Sequence, residues 1–169
     1  PYSYNGIPVI AANMDTVGTI EMYKALNEFC VSTALHKHYT VEQLIDMFNT
    51  SQQSNMWYSM GISNSDIIKY NTVTGTISKG WKADSTVCRE EDLQQPIRHI
   101  CIDVANGYSQ YFVEFVKRFR EDNPLAVIMA GNVVTPEITE ELILAGADIV
   151  KVGIGPGSVC TTRKKTGVG

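Results

Sequence analysis

Apolar residues along this chain form short continuous runs that alternate with segments of helical periodicity. Capping signals precede several of the helical segments: Thr19, the Thr40–Gln43 capping box, Ser109, and Thr135 followed by Pro136. Apolar runs separated by amphipathic helices predict a parallel sheet covered by helices, which is an α/β fold. The six runs that we predict as strands are 7–12, 31–35, 56–61, 99–103, 126–129 and 148–152.

Small polar turns follow these predicted strands, where the carboxyl ends of parallel strands would lie. Polar residues gathered at that end are typical of the active face of a (β/α)8 TIM barrel, and a doubly wound open sheet is the alternative. Six strands cannot close an eight-stranded barrel. We therefore expect 1–169 to be a partial TIM-barrel domain holding about the first six strands, and a piece of a longer protein.

The stretch 62–97 breaks the alternating pattern. Asn64–Tyr70 could begin the expected helix, whereas Thr72–Gly80 is rich in Thr, Gly and Ser and Trp81–Gln95 has no clear period. We interpret 62–97 as an atypical insertion or divergent segment, such as a surface loop, in which Cys88 is incidental.

Charge and composition exclude several classes of partner. The 169 residues carry 14 Lys and Arg against 18 Asp and Glu, a net charge of −4, and no basic run points to nucleic acid. No apolar stretch approaches the roughly 18 residues of a membrane span, and no secretory leader opens the chain, so we predict a cytoplasmic protein. Without a CxxC pair, reduced thiols are expected, with Cys30 and Cys101 buried as small apolar residues.

The segment from Lys151 to Arg163 carries the strongest chemical signal. Glycines at 153, 155 and 157 let the backbone turn sharply and approach a ligand, and Cys160 follows directly. A thiol on a polar loop beside cationic Arg163 should have a lowered pKa, which suits a nucleophile. A structural turn with a chance cysteine is the other interpretation, and the residues alone leave both open.

Other polar residues carry weaker signals. Asp103 ends a buried strand, where it could hold a ligand hydroxyl or amide, or simply form an Asx turn or helix cap. Lys151 lies within a strand, where a Schiff base is conceivable but an ion pair is favoured. His36 and His38 have no third metal ligand nearby and are typical of a solvated loop, in which Lys37 could meet a phosphate.

Several strings resemble the IMP dehydrogenase/GMP reductase family. Those at 36–39, 101–109 and 163–169 resemble its reductases, and between Tyr39 and Ile100 there is no room for the paired regulatory domain of most dehydrogenases. The alternatives are NAD-dependent oxidation of IMP to XMP, or a non-catalytic nucleotide-binding barrel fragment. The strings that carry the resemblance are 11–18, 36–39, 101–109, 129–135 and 148–169.

The resemblance implies NADPH-dependent reductive deamination of GMP to IMP and ammonia, in purine nucleotide salvage. Cys160 would form a covalent thioimidate with the purine, Thr162 would transfer protons together with a glutamate on a later segment, and Ser158 would contact the nucleotide phosphate. A homotetramer is also implied, and we expect the 169 residues alone to be inactive. The implied cofactor contacts are Lys37, Asp103, Val104, Ala105, Ile154 and Gly155, and the implied K⁺ ligands are carbonyls of Gly155, Gly157, Cys160 and Arg163.

Overall fold

The computed structural model describes residues 6–50, 55–80 and 97–169. The chain divides into two compact units, Pro1–Cys101 and Ile102–Gly169, which are described separately below. Strands and helices alternate in the order β1 (Ile10–Ala11), α1 (Ile20–Asn27), β2 (Ser32–Ala34), α2 (Val41–Thr50), β3 (Met56–Met60), α3 (Asn64–Gly80), β4 (His99–Asp103), α4 (Gln110–Asp122), β5 (Val127–Val133), α5 (Pro136–Leu144), β6 (Ile149–Val152) and α6 (Thr162–Thr166).

Parallel pairing organises the first unit. Its sheet runs in the order β1-β2-β3 and continues into the residues of β4 that belong to this unit. Ile10 is paired with Ser32, and Thr33 with Met56. All five side chains of β3 are buried, and Trp57 is among them. A strand buried along its whole length is expected where helices cover a parallel sheet.

The capping signals of this unit act as the sequence predicts. The Thr19 hydroxyl accepts a hydrogen bond from the Met22 N–H at 3.1 Å, so α1 begins there. At the start of α2, the Thr40 N–H donates to Gln43 Oε1 at 2.9 Å and the Gln43 N–H donates to Thr40 Oγ1 at 3.3 Å. This reciprocal pair satisfies two N–H groups that the first turn leaves without intrahelical partners.

Helix α3 corrects the interpretation of 72–80 as part of a surface loop. The helix runs for 17 residues, and Tyr70, Val73 and Ile77 are buried at helical spacing along it. The threonines that suggested a loop tolerate the helix because their hydroxyls bond backwards. Thr72 Oγ1, for example, donates to the Ile68 carbonyl at 2.8 Å. The segment 81–95, including Cys88, lies outside the described residues.

The prediction for Cys101 is confirmed and the one for Cys30 is wrong. Cys101 is fully buried in β4, whereas Cys30 is exposed with φ +56°. Cys30 lies beyond helix α1, which ends at Asn27. Cys30 instead lies in the left-handed turn that leads into β2, where its N–H donates to the Asn27 carbonyl at 3.1 Å.

The second unit is built around β5 and β6. Strand β5 follows the residues of β4 that belong to this unit and is paired in parallel with β6 from Met129 opposite Ile149 onward. It extends to Val133, further than the predicted strand. Its helix α4 begins at Ser109, whose hydroxyl accepts the Phe112 N–H at 3.2 Å. The buried stripe of α4 is Phe112, Phe115, Val116 and Phe119.

The helices of both units are too short or too polar to cross a bilayer, over the residues that the structure describes. Within residues 6–50, 55–80 and 97–169, none combines the length and the apolar composition that a membrane span needs.

Candidate active site around Cys160

The Cys160 thiol lies on the exposed segment between β6 and α6. Its Sγ donates to the Thr162 hydroxyl at 3.3 Å, and the Cys160 N–H donates to the Gly157 carbonyl at 3.1 Å. Hydrogen bonds from the Thr162 side chain and backbone, and then the charge of Arg163, lower the pKa of Cys160 below that of an ordinary thiol. Since the thiolate is the nucleophilic form of cysteine, this surrounding suits covalent chemistry.

Gly155 lets the loop fold tightly against this thiol. Its φ of +55° lies in the left-handed region, and a Cβ added there would lie 3.0 Å from Cys160 Sγ. The neighbouring Ile154 is buried, and its carbonyl accepts a hydrogen bond from Arg163 Nε at 2.9 Å. Ile154, Gly155 and Arg163, which were predicted from the resemblance for separate contacts, therefore support the position of Cys160 together.

Asn132 fixes the start of the loop, and the sequence analysis missed it. Its Nδ2 donates to the Gly153 carbonyl at 2.8 Å. Its backbone N–H donates to the Val104 carbonyl at 3.0 Å, and its own carbonyl accepts the Gly107 N–H at 2.7 Å. One residue at the end of β5 thus joins the segment after β4 to the glycine-rich loop. The available signal was a carboxamide within an otherwise apolar strand.

Asp103 and Lys151 form an ion pair at the ends of β4 and β6. Lys151 Nζ contacts Asp103 Oδ1, and both side chains are largely buried. The ion-pair interpretation of Lys151 is therefore confirmed. Asp103 is neither an Asx turn nor a helix cap, because Asn106 Oδ1 accepts the Tyr108 N–H and Ser109 caps α4.

The other predicted contact positions of this unit differ in what they can offer. Both backbone groups of Val104 are bonded to β5, through the Gly131 carbonyl at 2.8 Å and the Asn132 N–H. Ala105 and Ser158 are exposed. A ligand could therefore reach Val104 through its side chain, and Ala105 and Ser158 directly.

Two of the loop carbonyls predicted to bind a monovalent cation already accept one backbone hydrogen bond each. The Gly157 carbonyl accepts the Cys160 N–H, and the Arg163 carbonyl accepts the Gly167 N–H at 2.9 Å. Each carbonyl oxygen has a second lone pair, so the loop still offers oxygen ligands of the kind that hard cations take. Across the part of the chain that the structure describes, no three His, Cys, Asp or Glu side chains cluster as a metal site.

Lys37 lies in the first unit, on the connection from β2 to α2, and is exposed. The His36 ring stacks on Tyr39 with centroids 4.1 Å apart, and the His36 N–H donates to the Gly18 carbonyl at 2.8 Å. His38 Nε2 lies 3.4 Å from Asp15 Oδ1. These contacts give the two histidines structural partners and leave the Lys37 side chain at the surface.

The fold and the site together define the class of protein to which the chain belongs. Parallel strands alternate with helices, and a cysteine of lowered pKa follows the sixth strand on a glycine-rich loop. This is part of a (β/α)8 barrel with an exposed cysteine of lowered pKa at the carboxyl end of a strand, so the predicted fold is confirmed over the doubly wound alternative. Residues 5–169 match the IMP dehydrogenase / GMP reductase domain, and the chain belongs to that family.

Individual relatives agree with this assignment. The chain is 51% identical to a GMP reductase of Caenorhabditis elegans over 175 residues, which cover 99% of the chain and 43% of that protein. It is 52% identical to a GMP reductase of Tolumonas auensis, covering 99% of the chain and 44% of the relative. The crystal structure of inosine 5′-monophosphate dehydrogenase from Legionella pneumophila superposes with a TM-score of 0.75 at 32% identity, covering 96% and 44%. The chain thus spans less than half the length of these relatives.

Proposed function

We propose that this chain is part of a GMP reductase, which converts GMP to IMP and ammonia with NADPH in purine nucleotide salvage. The observation that carries the proposal is the Cys160–Thr162 pair, a thiol of lowered pKa in contact with a hydroxyl. The proposal is also supported by sequence identities of 51% and 52% to two proteins named GMP reductase. Because the chain covers under half of those relatives, the activity is proposed for the whole protein.

The proposed reaction uses Cys160 as the nucleophile. Its thiolate attacks C2 of the guanine ring, a C–S bond forms, and the C2 amino group leaves as ammonia to give a covalent thioimidate. When bound, NADPH supplies the hydride that adds to C2, and the C–S bond breaks to return the thiolate and release IMP. The Thr162 hydroxyl, which already accepts the S–H, is placed to pass that proton toward the departing amine.

We assign the cofactor contacts to Lys37 in the first unit and to Asp103, Val104, Ala105, Ile154 and Gly155 in the second. The support is chemical. The Asp103 carboxylate is held by Lys151 and can accept from a ribose hydroxyl, while exposed Lys37 offers a cation for a phosphate.

We assign the remaining loop contacts to the substrate and to a cation. Exposed Ser158 would donate to the phosphate of the nucleotide. The carbonyls of Gly155, Gly157, Cys160 and Arg163 would hold K⁺. Family membership is the support for these assignments, for the homotetramer and for the cytoplasmic location.

Inosine monophosphate dehydrogenase activity is the second candidate, favoured by the similarity to the Legionella pneumophila structure. It would run the redox chemistry in the opposite direction, with NAD⁺ taking hydride from IMP and water giving XMP. Ammonia release separates the two functions, because only the deamination of GMP produces it.

The testing experiment is intact-mass measurement after incubation with GMP, with Cys160→Ala as the control. A Cys160-dependent nucleotide adduct accompanied by ammonia supports the reductase. An adduct that also forms in Cys160→Ala contradicts the assigned nucleophile. An adduct that forms with IMP and NAD⁺ but not with GMP favours the dehydrogenase. Absence of both adduct and GMP binding would leave the 169 residues as a non-catalytic fragment. We expect no steady-state conversion by this chain alone, and IMP formation with NADPH would refute that expectation.

A further inference from the structure

Lys69 reaches from the second turn of α3 to the connection that carries Lys37. Its Nζ donates to the Lys37 carbonyl at 2.8 Å and also to the Tyr39 carbonyl. Two carbonyls from residues two apart in sequence therefore converge on one ammonium group. Charged donors make stronger hydrogen bonds than neutral ones, so this contact fixes the backbone on both sides of His38.

The described residues give the connection two other attachments, one on each side of Lys37. Its start is held where the His36 N–H bonds to the Gly18 carbonyl, and the Tyr39 hydroxyl accepts the Ile20 N–H at 2.9 Å. Both contacts lie beside Lys37 rather than on it. Within the part of the chain that the structure describes, the bond from Lys69 is the one that reaches the Lys37 carbonyl.

Asp66 adds a negative charge in the neighbourhood of Lys37. Asp66, one turn before Lys69 in α3, accepts hydrogen bonds from the Ser63 hydroxyl at 2.5 Å and the Ser63 N–H at 3.1 Å. The positive charge of Lys37 contributes to lowering the pKa of the Asp66 carboxylate. Helix α3 thus carries the Lys69 ammonium that bonds the Lys37 carbonyl, and an acidic residue whose ionisation Lys37 favours.

We propose that Lys69 is a positioning residue that holds the Lys37 backbone so that the Lys37 ammonium is presented to a phosphate of the dinucleotide cofactor. The inference rests on the proposed function, in which Lys37 contacts NADPH. It adds a residue from the segment in which the sequence offered no chemistry. Lys69 contacts neither substrate nor cofactor in this scheme and acts through Lys37.

A merely structural role would have a different signature. If Lys69 only stabilised α3 by its spacing from Asp66, its removal would lower stability without changing cofactor affinity through Lys37. The test therefore needs an affinity measurement in which the two lysines are removed singly and together.

The experiment is titration of the chain with NADPH, followed by the fluorescence of the reduced nicotinamide. The variants are Lys69→Met, which keeps length and removes the charge, Lys69→Arg, Lys37→Ala and the Lys37→Ala/Lys69→Met double variant. Lys24→Met is the control, since Lys24 is a helical lysine of the same unit, exposed where Lys69 is half-buried. We expect Lys69→Met to weaken binding on the order of fivefold, Lys69→Arg to restore most of it, and the double variant to bind no worse than Lys37→Ala.

The outcomes separate this proposal from the proposed function. Unchanged affinity in Lys69→Met, or losses that add in the double variant, would overturn the role of Lys69 and leave the proposed function standing. A wild-type chain that does not bind NADPH would overturn both the cofactor assignment and this role. Amide hydrogen exchange at residues 36–40 is a second test, and we expect it to be faster in Lys69→Met than in Lys24→Met. Equal exchange rates in the two variants would show that Lys69 does not hold the connection.

Discussion

Replacing Gly155 by alanine should disturb the candidate nucleophile without touching it directly. At φ +55°, an L-residue costs roughly 1–2 kcal/mol relative to glycine. The new Cβ would also lie 3.0 Å from Cys160 Sγ and 3.4 Å from Arg163 Cγ. A strain of that size would favour displacement of the Cys160 loop from this conformation by roughly 5- to 30-fold over the wild type. Displacement of the loop moves the Cys160 thiol away from Thr162.

Two neighbouring glycines provide matched controls. Gly153 has φ +127° with open space around an added Cβ, so Gly153→Ala introduces backbone strain without crowding. At Gly157 an added Cβ also meets open space, and φ lies outside the left-handed region, so Gly157→Ala introduces neither. We expect Gly157→Ala to stay within about 0.5 kcal/mol of the wild type in stability.

The assay is the pH dependence of alkylation of Cys160, read by peptide mass spectrometry. Cys30 is also exposed but belongs to the other unit, so its alkylation reports general changes in reagent or protein. In Gly155→Ala the midpoint for Cys160 should rise toward that of an ordinary cysteine, because the Thr162 hydrogen bonds and the Arg163 charge are displaced. An unchanged midpoint, or an equal rise in Gly157→Ala, would refute this account of the loop.

Three further predictions concern single contacts. Thr162→Val should raise the alkylation midpoint of Cys160, since it removes the largest cause of the lowered pKa; an unchanged midpoint would assign the effect elsewhere. Burial opposes the ionisation of Asp66, but hydrogen bonds from Ser63 outweigh it and lower the pKa of Asp66. The ionised carboxylate therefore stabilises the fold above the ordinary carboxyl pKa, and this stabilisation is lost as the pH falls through the pKa of Asp66 in the folded protein. Urea unfolding of Asp66→Asn should show a deficit of about 1 kcal/mol near neutral pH that shrinks in acid, and a constant deficit would contradict this. Lys151→Met should cost about 3 kcal/mol by leaving the Asp103 charge unpaired, and denaturation that matches the wild type would show the pair to be dispensable.

The sequence predicted those features that depend on neighbouring residues. The Thr40–Gln43 capping box and the Ser109 cap are local hydrogen-bond patterns, and both form as expected. The six strands were located because each lies in a short, mostly apolar run between helical segments. Local sequence failed at Cys30, which was predicted to be buried but lies exposed beyond the end of α1, and at 72–80, where back-bonded threonines are compatible with a helix.

The contacts of the candidate site were harder to predict because they join distant segments. The lowered pKa of Cys160 was foreseen from adjacent charge, but the larger cause is the Thr162 hydrogen bonding. The bond from Asn132 to the Gly153 carbonyl spans 21 positions and that from Lys69 to the Lys37 carbonyl spans 32. Neither follows from spacing, since each requires the register of strands and helices to be known.

The way Asn132 holds Gly153 also bears on how the loop can evolve. The side-chain amide of Asn132 donates a hydrogen bond to the Gly153 carbonyl, and the Gly153 N–H donates to the Val133 carbonyl at 2.7 Å. Neither bond depends on a side chain of the loop, so mutational drift at the exposed positions 156–159 leaves the loop's origin unchanged. Asn132 itself has little such freedom, because an aspartate there would turn a carboxylate oxygen against the Gly153 carbonyl. Laboratory selection for altered ligand preference should therefore accumulate changes at 156–159 long before it tolerates one at 132.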